Sequence, residues 1–301
     1  MKNIDLFGNK IIEKTSLKNE FLIPPFSILD TASGDWQNRK KMWKSLGIKS
    51  EVGRKSPSII AGTDDYRKIK NKKGYDNKDN YVSIFDPLLC ELMYKWFVPK
   101  GGSILDPFAG GSVRGIVSNY LDYRYTGIEL REEQVDANFQ QGIDICSLNN
   151  PEWICGDSDK MLNFMDKKFD FIFSCPPYYD LEVYCDDEDD LSNMSYKDFN
   201  YKYESIIDKS SHLLKNNRFA CFVVGNCRNK DGYMMDLVGT TIKAFEKAGL
   251  KFYNDIVLKN VVGSGSMRAM GNMKYKKVVK MHQNVLVFVK GNPKEVFNNA
   301  E

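Results

Sequence analysis

The sequence contains 301 residues, of which 42% are hydrophobic, and its formal net charge is +3. This length allows one large domain with an extension, whereas no apolar run approaches the roughly 20 residues that a membrane-spanning helix needs. Seven cysteines are scattered without a Cys-x-x-Cys pair, and the chain has two histidines. We therefore expect reduced thiols, a cytoplasmic protein, no membrane partner, no disulfide framework and no metal site.

Residues 1–80 differ from the rest of the chain because many lysines and arginines interleave with Trp36 and Trp43. Two interpretations carry equal weight. The segment is a basic N-terminal extension that contacts DNA, or it is a solvated basic surface whose two tryptophans dock on the core. Its last part, 69–80, is rich in Lys, Asn, Gly and Asp, which is typical of a linker or loop.

Residues 81–295 show the regular alternation of a single domain. Asp86-Pro87 begins a helix with an apolar stripe that ends before Pro99. The alternation predicts an α/β fold with a doubly wound, mostly parallel sheet. In chain order, the predicted elements after this helix are the strand Ser103–Asp106, a helix from Ser112, the strand Tyr125–Glu129, the helix Glu132–Ile145, the strands Trp153–Cys155 and Phe169–Ser174, the helix Ser195–Leu214, the strand Arg218–Val224, the helix Met234–Ala248, and the strands Leu250–Leu258 and Asn284–Lys290.

A glycine-containing turn, Asp106-Pro107-Phe108-Ala109-Gly110-Gly111, follows the first of these strands. Glycine lets the backbone approach a ligand, and the helix amino end beyond it favours an anion. The Gly-x-Gly-x-x-Gly pattern of dinucleotide sites is absent. Glu129 and Asp157 end the next two strands, so both carboxylates are predicted to lie at the same sheet edge. The alternatives are a solvated strand end for Glu129 and a helix N-cap for Asp157.

The fourth strand stops abruptly at Ser174-Cys175-Pro176-Pro177-Tyr178-Tyr179. Two prolines fix φ and remove two backbone donors, so the strand cannot continue. Ligands of open α/β sheets bind beyond the carboxyl ends of the strands, which predicts a site of chemistry at this corner. The prolines make this corner rigid, and the two tyrosines that follow make it aromatic-lined. The alternative is a Pro-Pro turn that only ends a strand.

Together these motifs resemble those of amino-group DNA methyltransferases, which modify adenine N6 or cytosine N4. Asp106-Pro107-Phe108-x-Gly110 is similar to the family's S-adenosylmethionine-binding element, although Gly111-Ser112 replaces its usual ending. Cys175-Pro176-Pro177-Tyr178 resembles its catalytic motif, in which Asp, Asn or Ser precedes Pro-Pro and an aromatic residue. The resemblance covers Tyr81 to Gly291, and Pro24–Lys55 looks like the leader of phage-type DNA methylases.

The resemblance implies a class I S-adenosylmethionine-dependent methyltransferase fold with a seven-stranded sheet, S-adenosylmethionine as the cofactor and double-stranded DNA as the partner. It also implies roles for individual residues, with Glu129 on the ribose and Asp157 on the adenine amino group. The implied cofactor-binding residues are Ser83, Asp106, Phe108, Ala109, Gly110, Glu129 and Asp157, and the implied catalytic residues are Ser174, Cys175, Pro176, Pro177 and Tyr178.

A basic stretch without any acid, Lys259–Lys280, separates the last two predicted strands. A flexible basic excursion suits contact with phosphates, and the alternative is a disordered surface hairpin. The acidic run Asp186–Asp190 is instead expected to face solvent or to cap the next helix. The predicted DNA-binding residues are Arg228, Arg268, Lys274, Lys276 and Lys277.

Cys175 leaves other functions open, because a thiol is a weak hydrogen-bond acceptor. For amine methylation, the carbonyls of Cys175 or Pro176 or the hydroxyl of Ser174 must carry more of the load. Attack by the Cys175 thiolate on C6 would instead methylate cytosine C5, although that chemistry usually places the cysteine after a proline. Methylation of a protein glutamine amide or an RNA guanine, which uses an Asn-Pro-Pro-Tyr corner, is a stronger rival. The last alternative is an inactive homologue that only binds DNA.

Overall fold

The computed structural model describes residues 17–49, 85–146, 151–179, 189–229, 231–263 and 265–296. Its strands are β1 (Ile28–Asp30), β2 (Ser103–Asp106), β3 (Arg124–Glu129), β4 (Glu152–Cys155), β5 (Phe169–Ser174), β6 (Leu214–Val224), β7 (Cys227–Arg228), β8 (Met234–Met235), β9 (Lys251–Lys259) and β10 (His282–Lys290). Its α-helices are α1 (Leu17–Phe21), α2 (Gly34–Ser45), α3 (Pro87–Phe97), α4 (Val113–Tyr120), α5 (Glu132–Ile145), α6 (Tyr196–Leu213), α7 (Leu237–Lys247) and α8 (Gly265–Met273). Short 3-10 helices cover Ser158–Asn163, Leu191–Asn193 and Pro293–Glu295.

The main sheet has the strand order β1-β9-β10-β6-β5-β2-β3-β4. Strand β10 runs antiparallel to both of its neighbours, and the other pairs are parallel. The predicted doubly wound, mostly parallel α/β sheet is confirmed. The strand count differs from the predicted seven, because Ile28–Asp30 adds a short parallel strand beside Val257–Lys259 and makes eight within the described residues.

Helices cover both faces of the sheet, and alternate residues of each central strand enter different cores. On β6, Phe219, Cys221 and Val223 join the core under α2, α3 and α4. The intervening Ala220, Phe222 and Val224 join the core under α6 and α7. Burial on both faces explains why these strands are continuous apolar runs in the sequence.

The described part of the N-terminal extension packs on the core, as one of the two interpretations predicted. Trp36 and Trp43 of α2 are 0% and 3% exposed. The Trp36 indole donates to Asp86, which also caps α3, and the Trp43 indole donates to Glu91 of α3. The basic side chains of Arg39 and Lys40 pair with the same two acids. The predicted linker at 69–80 lies outside the described residues.

Three local predictions need revision or completion. The helix predicted from Met234 begins at Leu237, because Asp236 caps it by accepting from the Gly239 N–H, while Met234–Met235 pairs with Cys227–Arg228. The basic excursion between β9 and β10 contains helix α8. Within the acidic run, Asp190 caps the next 3-10 helix as expected, by accepting from the Ser192 N–H at 2.9 Å. Among the described residues, no helix combines the length and apolar character required to cross a membrane.

Replacing Glu91 tests the attachment of α2 to the core. Its carboxylate is fully buried and accepts from Arg39 at 2.6 and 2.9 Å and from Trp43 at 2.6 Å. Glu91→Gln should lower the free energy of unfolding at pH 7 by about 2–3 kcal/mol, since a buried pair loses its charge while the partly exposed Arg39 can turn to solvent. Urea denaturation measures this loss.

Two controls sharpen this prediction. Glu204 pairs with Lys247 on an exposed surface, so Glu204→Gln should change the same free energy by less than about 0.5 kcal/mol. Burial alone would raise the pKa of Glu91, but hydrogen bonds from Arg39 and Trp43 outweigh burial and hold that pKa below its usual value. The advantage of the wild type should therefore fade as pH falls through the folded-state pKa. Equal losses in the two variants would contradict the prediction.

Candidate active site

Asp106, the last residue of β2, is fully buried at the centre of a polar network. Its carboxylate accepts from the Tyr125 hydroxyl at 2.7 Å and the Ser174 hydroxyl at 2.5 Å, and it pairs with Arg114 Nε. Burial alone would lower the pKa of Arg114, but the charge of Asp106, its hydrogen bond and other nearby groups together outweigh burial and raise that pKa above its ordinary value. Burial and then the Asp106 charge raise the pKa of Tyr125 as well. The network therefore joins a buried ion pair to the hydroxyl groups of Tyr125 and Ser174.

Arg114 also holds the glycine-containing turn. Its Nη2 donates to the carbonyl oxygens of Phe108 at 2.6 Å and Ala109 at 2.8 Å. Gly110 has φ +51°, and a Cβ there would meet no atom within 4 Å, so its backbone borders open space. Ser112 occupies the N-cap position of α4, yet its buried hydroxyl has no hydrogen-bond partner within the described part of the chain. The turn thus leaves a polar helix start facing an open cradle.

Glu129 and Asp157 lie at the ends of β3 and β4, as predicted, and both are already engaged. Glu129 accepts from the Gly110 N–H at 2.9 Å and from Arg131 through its N–H and its guanidinium. Asp157 caps the following 3-10 helix through the Asp159 N–H and forms a 3.1 Å ion pair with Lys202. The N-cap interpretation of Asp157 is confirmed, and the carboxylate also lines the cavity described below.

The Pro-Pro corner follows β5 with Pro176 buried and Tyr178 half-buried. The Tyr178 hydroxyl accepts from Gln283 Nε2 of β10 at 2.5 Å, which fixes the orientation of the ring. The next residue, Tyr179, has φ +49°, a costly conformation for a bulky side chain. Its ring packs edge-on against Tyr196 and Phe199 of α6, at centroid distances of 5.3 and 5.5 Å. Packing against α6 therefore holds the chain in this tight turn.

One cavity brings most of the predicted site residues together. Phe108, Gly110, Glu129, Asp157, Cys175, Pro176, Pro177 and Tyr178 all line it. Three others lie behind its wall, because Asp106, Ala109 and Ser174 are each fully buried, with the first and last bonded to each other. Ser83 lies outside the described residues. The cofactor motif and the Pro-Pro corner are thus two walls of the same cavity.

Sequence reasoning missed four residues that shape this site: Arg114, Tyr125, Lys202 and Gln283. Arg114 and Lys202 occur at helical positions where a cation predicts a solvated surface, yet they are 4% and 9% exposed. Tyr125 stands at a strand start, and Gln283 is the second residue of the last strand. Only the arrangement of β3, α6 and β10 around the turn and the Pro-Pro corner reveals their partners.

The residues predicted to bind DNA lie on two touching segments. Arg228, on the β7–β8 hairpin, is exposed and donates to the Gly232 carbonyl at 2.8 Å. The Lys277 ammonium lies so close to Gly232 that a Cβ there would collide with it. Lys280 donates to the Asn226 carbonyl at 3.1 Å, and burial lowers its pKa. We refer to Arg228, Arg268, Lys274, Lys276 and Lys277 as the basic face.

The basic face adjoins the Pro-Pro corner through the short segment from Lys280 to Gln283, whose amide holds Tyr178. The segment between β9 and β10, which contributes four of these five residues, also carries exposed apolar side chains, among them Met267 at 71%, Met270 at 80% and Tyr275 at 76% exposure. Charged and apolar groups therefore share one accessible surface beside the cavity. Among the described residues, no group of three or more His, Cys, Asp or Glu side chains is placed to hold a metal ion.

Comparison with models of protein families finds no match, and comparison with curated protein sequences finds none either. Solved structures that resemble this chain include TrmN from Thermus thermophilus, at 12% identity and TM-score 0.44 over 68% of this chain and 49% of that chain. Magnesium protoporphyrin IX methyltransferase from Synechocystis PCC 6803, with bound SAM, gives 12% identity and TM-score 0.45 over 76% of this chain and 90% of that chain. A methyltransferase from Pyrococcus furiosus gives 15% identity and TM-score 0.48 over 86% of this chain and 100% of that chain. At these TM-scores the likenesses decide neither substrate nor chemistry.

The Asp106 network yields a stability prediction. Arg114→Met should lower the free energy of unfolding by about 3–5 kcal/mol, because Asp106 would remain buried without a countercharge. The double variant Arg114→Met/Asp106→Asn should recover part of this loss, since both charges leave together. Urea denaturation of the wild type and the two variants measures both effects. A double variant less stable than the single one would show that the charge pair is not the cause.

Proposed function

We propose that this chain is an S-adenosylmethionine-dependent methyltransferase that acts on an exocyclic amino group, adenine N6 or cytosine N4, of a base in double-stranded DNA. The observation that carries the proposal is the shared cavity, in which the glycine-containing turn and the Pro-Pro corner face each other. Such a cavity lets a bound cofactor and a substrate amine meet between two preorganised walls.

The residues of the cavity fit S-adenosylmethionine. The open backbone at Gly110 and the start of α4, where Gly111 and Val113 line the cavity, suit a carboxylate. Glu129 suits a ribose hydroxyl and Asp157 an amino group, because a carboxylate accepts up to about four hydrogen bonds. Three N–H groups already occupy Glu129, so it has room for one hydroxyl, and a second requires Arg131 to turn away.

S-adenosylmethionine supplies a methyl group on a positively charged sulfur. With the cofactor bound, that methyl group would pass to the amine nitrogen and leave a neutral thioether, and the amine would release one proton to water. The chain's part is to accept hydrogen bonds from the amine, so that its lone pair can point at the methyl group. The Ser174 hydroxyl is committed to Asp106, so we assign this part to the carbonyl oxygens of Cys175 and Pro176 at the cavity wall.

Tyr178 is proposed to stack on the extruded base, since its ring lines the cavity and Gln283 fixes its edge. The basic face supports DNA as the substrate, because exposed cations beside the cavity can contact phosphates while the exposed methionines and Tyr275 can approach bases. The covalent alternative is disfavoured by sequence order, in which Cys175 precedes two prolines rather than following one.

The function is tested by incubating plasmid DNA with the purified protein and methyl-labelled S-adenosylmethionine, followed by mass spectrometry of the nucleosides. We expect label in N6-methyladenine or N4-methylcytosine. Cys175→Ser should keep activity, since the backbone carbonyl stays in place. Tyr178→Ala should lose about 5- to 150-fold, since base stacking on an aromatic ring contributes about 1–3 kcal/mol.

Tyr178→Phe is the matched control, because it keeps the ring and removes only the hydrogen bond to Gln283. It should retain most of the activity that Tyr178→Ala loses. Label in 5-methylcytosine, a dead Cys175→Ser variant and a stable adduct with a fluorocytosine duplex would together establish the covalent route instead. Label confined to added ribosomal RNA or protein would overturn DNA as the substrate.

Binding to duplex DNA should weaken steeply as salt increases, because phosphate contacts release counterions. Replacing Lys274, Lys276 and Lys277 together by Gln should flatten the slope of log K against log[salt] by about one for each phosphate-binding lysine that is removed. The matched control replaces Lys167, Lys168 and Lys251, three exposed lysines at the opposite end of the sheet. Fluorescence anisotropy measures both slopes, and equal slopes for the two triple variants would remove the basic face from the interface.

A further inference from the structure

Four charged side chains of alternating sign form a closed ring at one wall of the cavity. Lys202 of α6 lies 3.1 Å from Asp157 Oδ2 and 2.9 Å from Asp189 Oδ1. Lys160 closes the ring, at 3.1 Å from Asp189 and 3.5 Å from Asp157. Asp157, Asp189 and Lys202 all line the cavity. The ring therefore joins three separate chain segments and forms one charged wall of the cavity.

Lys202 differs from an ordinary surface lysine in burial and in the use of its donors. Its side chain is 11% exposed, whereas that of Lys160 is 59% exposed. Its ammonium donates to Asp189 Oδ1 and to the Asp189 carbonyl oxygen, both at 2.9 Å, and pairs with Asp157. Two hydrogen bonds to Asp189 and an ion pair with Asp157 thus offset the cost of burying the Lys202 charge.

The ring leaves the Asp157 carboxylate in one orientation. Its Oδ1 accepts from the Asp159 N–H at 2.9 Å, and its Oδ2 is 3.1 Å from the Lys202 ammonium. Lys160 lies 3.5 Å from the same Oδ2, beyond the usual hydrogen-bond length, so it acts on Oδ2 through its charge. A carboxylate oxygen has two acceptor positions, so Oδ2 keeps one for a donor in the cavity. Without Lys202, two carboxylates would share this wall with the exposed Lys160 as the remaining countercharge, and their repulsion would displace Oδ2.

We propose that Lys202 is a positioning residue for the nucleobase of the cofactor, which makes the cavity select a base with an amino group over one with an oxo group. This inference rests on the proposed function, because it assumes that the adenosine end of S-adenosylmethionine lies at Asp157. An amino group donates to the fixed Oδ2, whereas an oxo group would place an acceptor against a carboxylate. Lys202 thereby acts through Asp157 and does not itself need to touch the ligand.

Calorimetric titration with two ligands tests the proposal without any catalytic readout. The ligands are S-adenosylhomocysteine and its 6-oxo analogue, S-inosylhomocysteine. The wild type should bind the adenosyl ligand at least tenfold more tightly. Lys202→Met should weaken adenosyl binding about tenfold and leave inosyl binding nearly unchanged, so that the preference disappears. Lys202→Arg, which keeps the positive charge, should restore part of the preference.

Lys209→Met is the matched control, because Lys209 lies two turns further along α6 and pairs with Asp159 at 2.6 Å without lining the cavity. Thermal unfolding of each variant confirms that the protein tested is folded. Equal losses for both ligands in Lys202→Met, or an equal loss of preference in Lys209→Met, would overturn the inference and leave the proposed function standing. A wild type that binds neither ligand would overturn both.

Discussion

The buried ion pair between Asp106 and Arg114 is the interaction on which the site depends. A buried pair is stabilising only when hydrogen bonds satisfy its remaining positions, and several such bonds are present here. Asp106 bonds to Tyr125 of β3 and Ser174 of β5, while Arg114 bonds to two carbonyl oxygens of the glycine-containing turn. The pair therefore ties the turn after β2 to the strand that carries the Pro-Pro corner.

This arrangement separates residues that organise the cavity from residues that face it. Asp106 belongs to the glycine-containing turn and Ser174 to the Pro-Pro corner. Behind the cavity wall, however, the Ser174 hydroxyl donates a hydrogen bond to the Asp106 carboxylate. The proposed chemistry is left to groups in front of that wall, namely backbone carbonyls at Cys175 and Pro176 and the ring of Tyr178. In the proposed reaction the wall does not have to form when an amine arrives, so little reorganisation is required.

Much of this site was predictable because parallel strands end at one edge of the sheet. Glu129, Asp157 and Cys175 follow three different apolar runs, and strand alternation alone places them together. The number of strands was not predictable, since Ile28–Asp30 is only three residues long and has no periodicity of its own. Its pairing with β9 becomes visible only after the N-terminal tryptophans are seen to dock on α3.

The buried cations were equally invisible to sequence reasoning. A lysine or arginine within a helix ordinarily predicts a solvated face, and Lys202 and Arg114 become interior residues only because carboxylates from other elements meet them. Their partners lie 45 and 8 positions away in the chain. Spacing along one element therefore carries no signal for either pair, although each decides how a cavity wall is oriented.

The central claim is that the glycine-containing turn and the Pro-Pro corner serve one cofactor and one substrate in one cavity. A crystal structure of the protein with S-adenosylhomocysteine tests it most directly. We predict that the adenosine will lie between Glu129 and Asp157 and that the thioether sulfur will face the corner formed by Cys175, Pro176 and Tyr178. A ligand bound elsewhere, or with its sulfur turned away from that corner, would contradict the account.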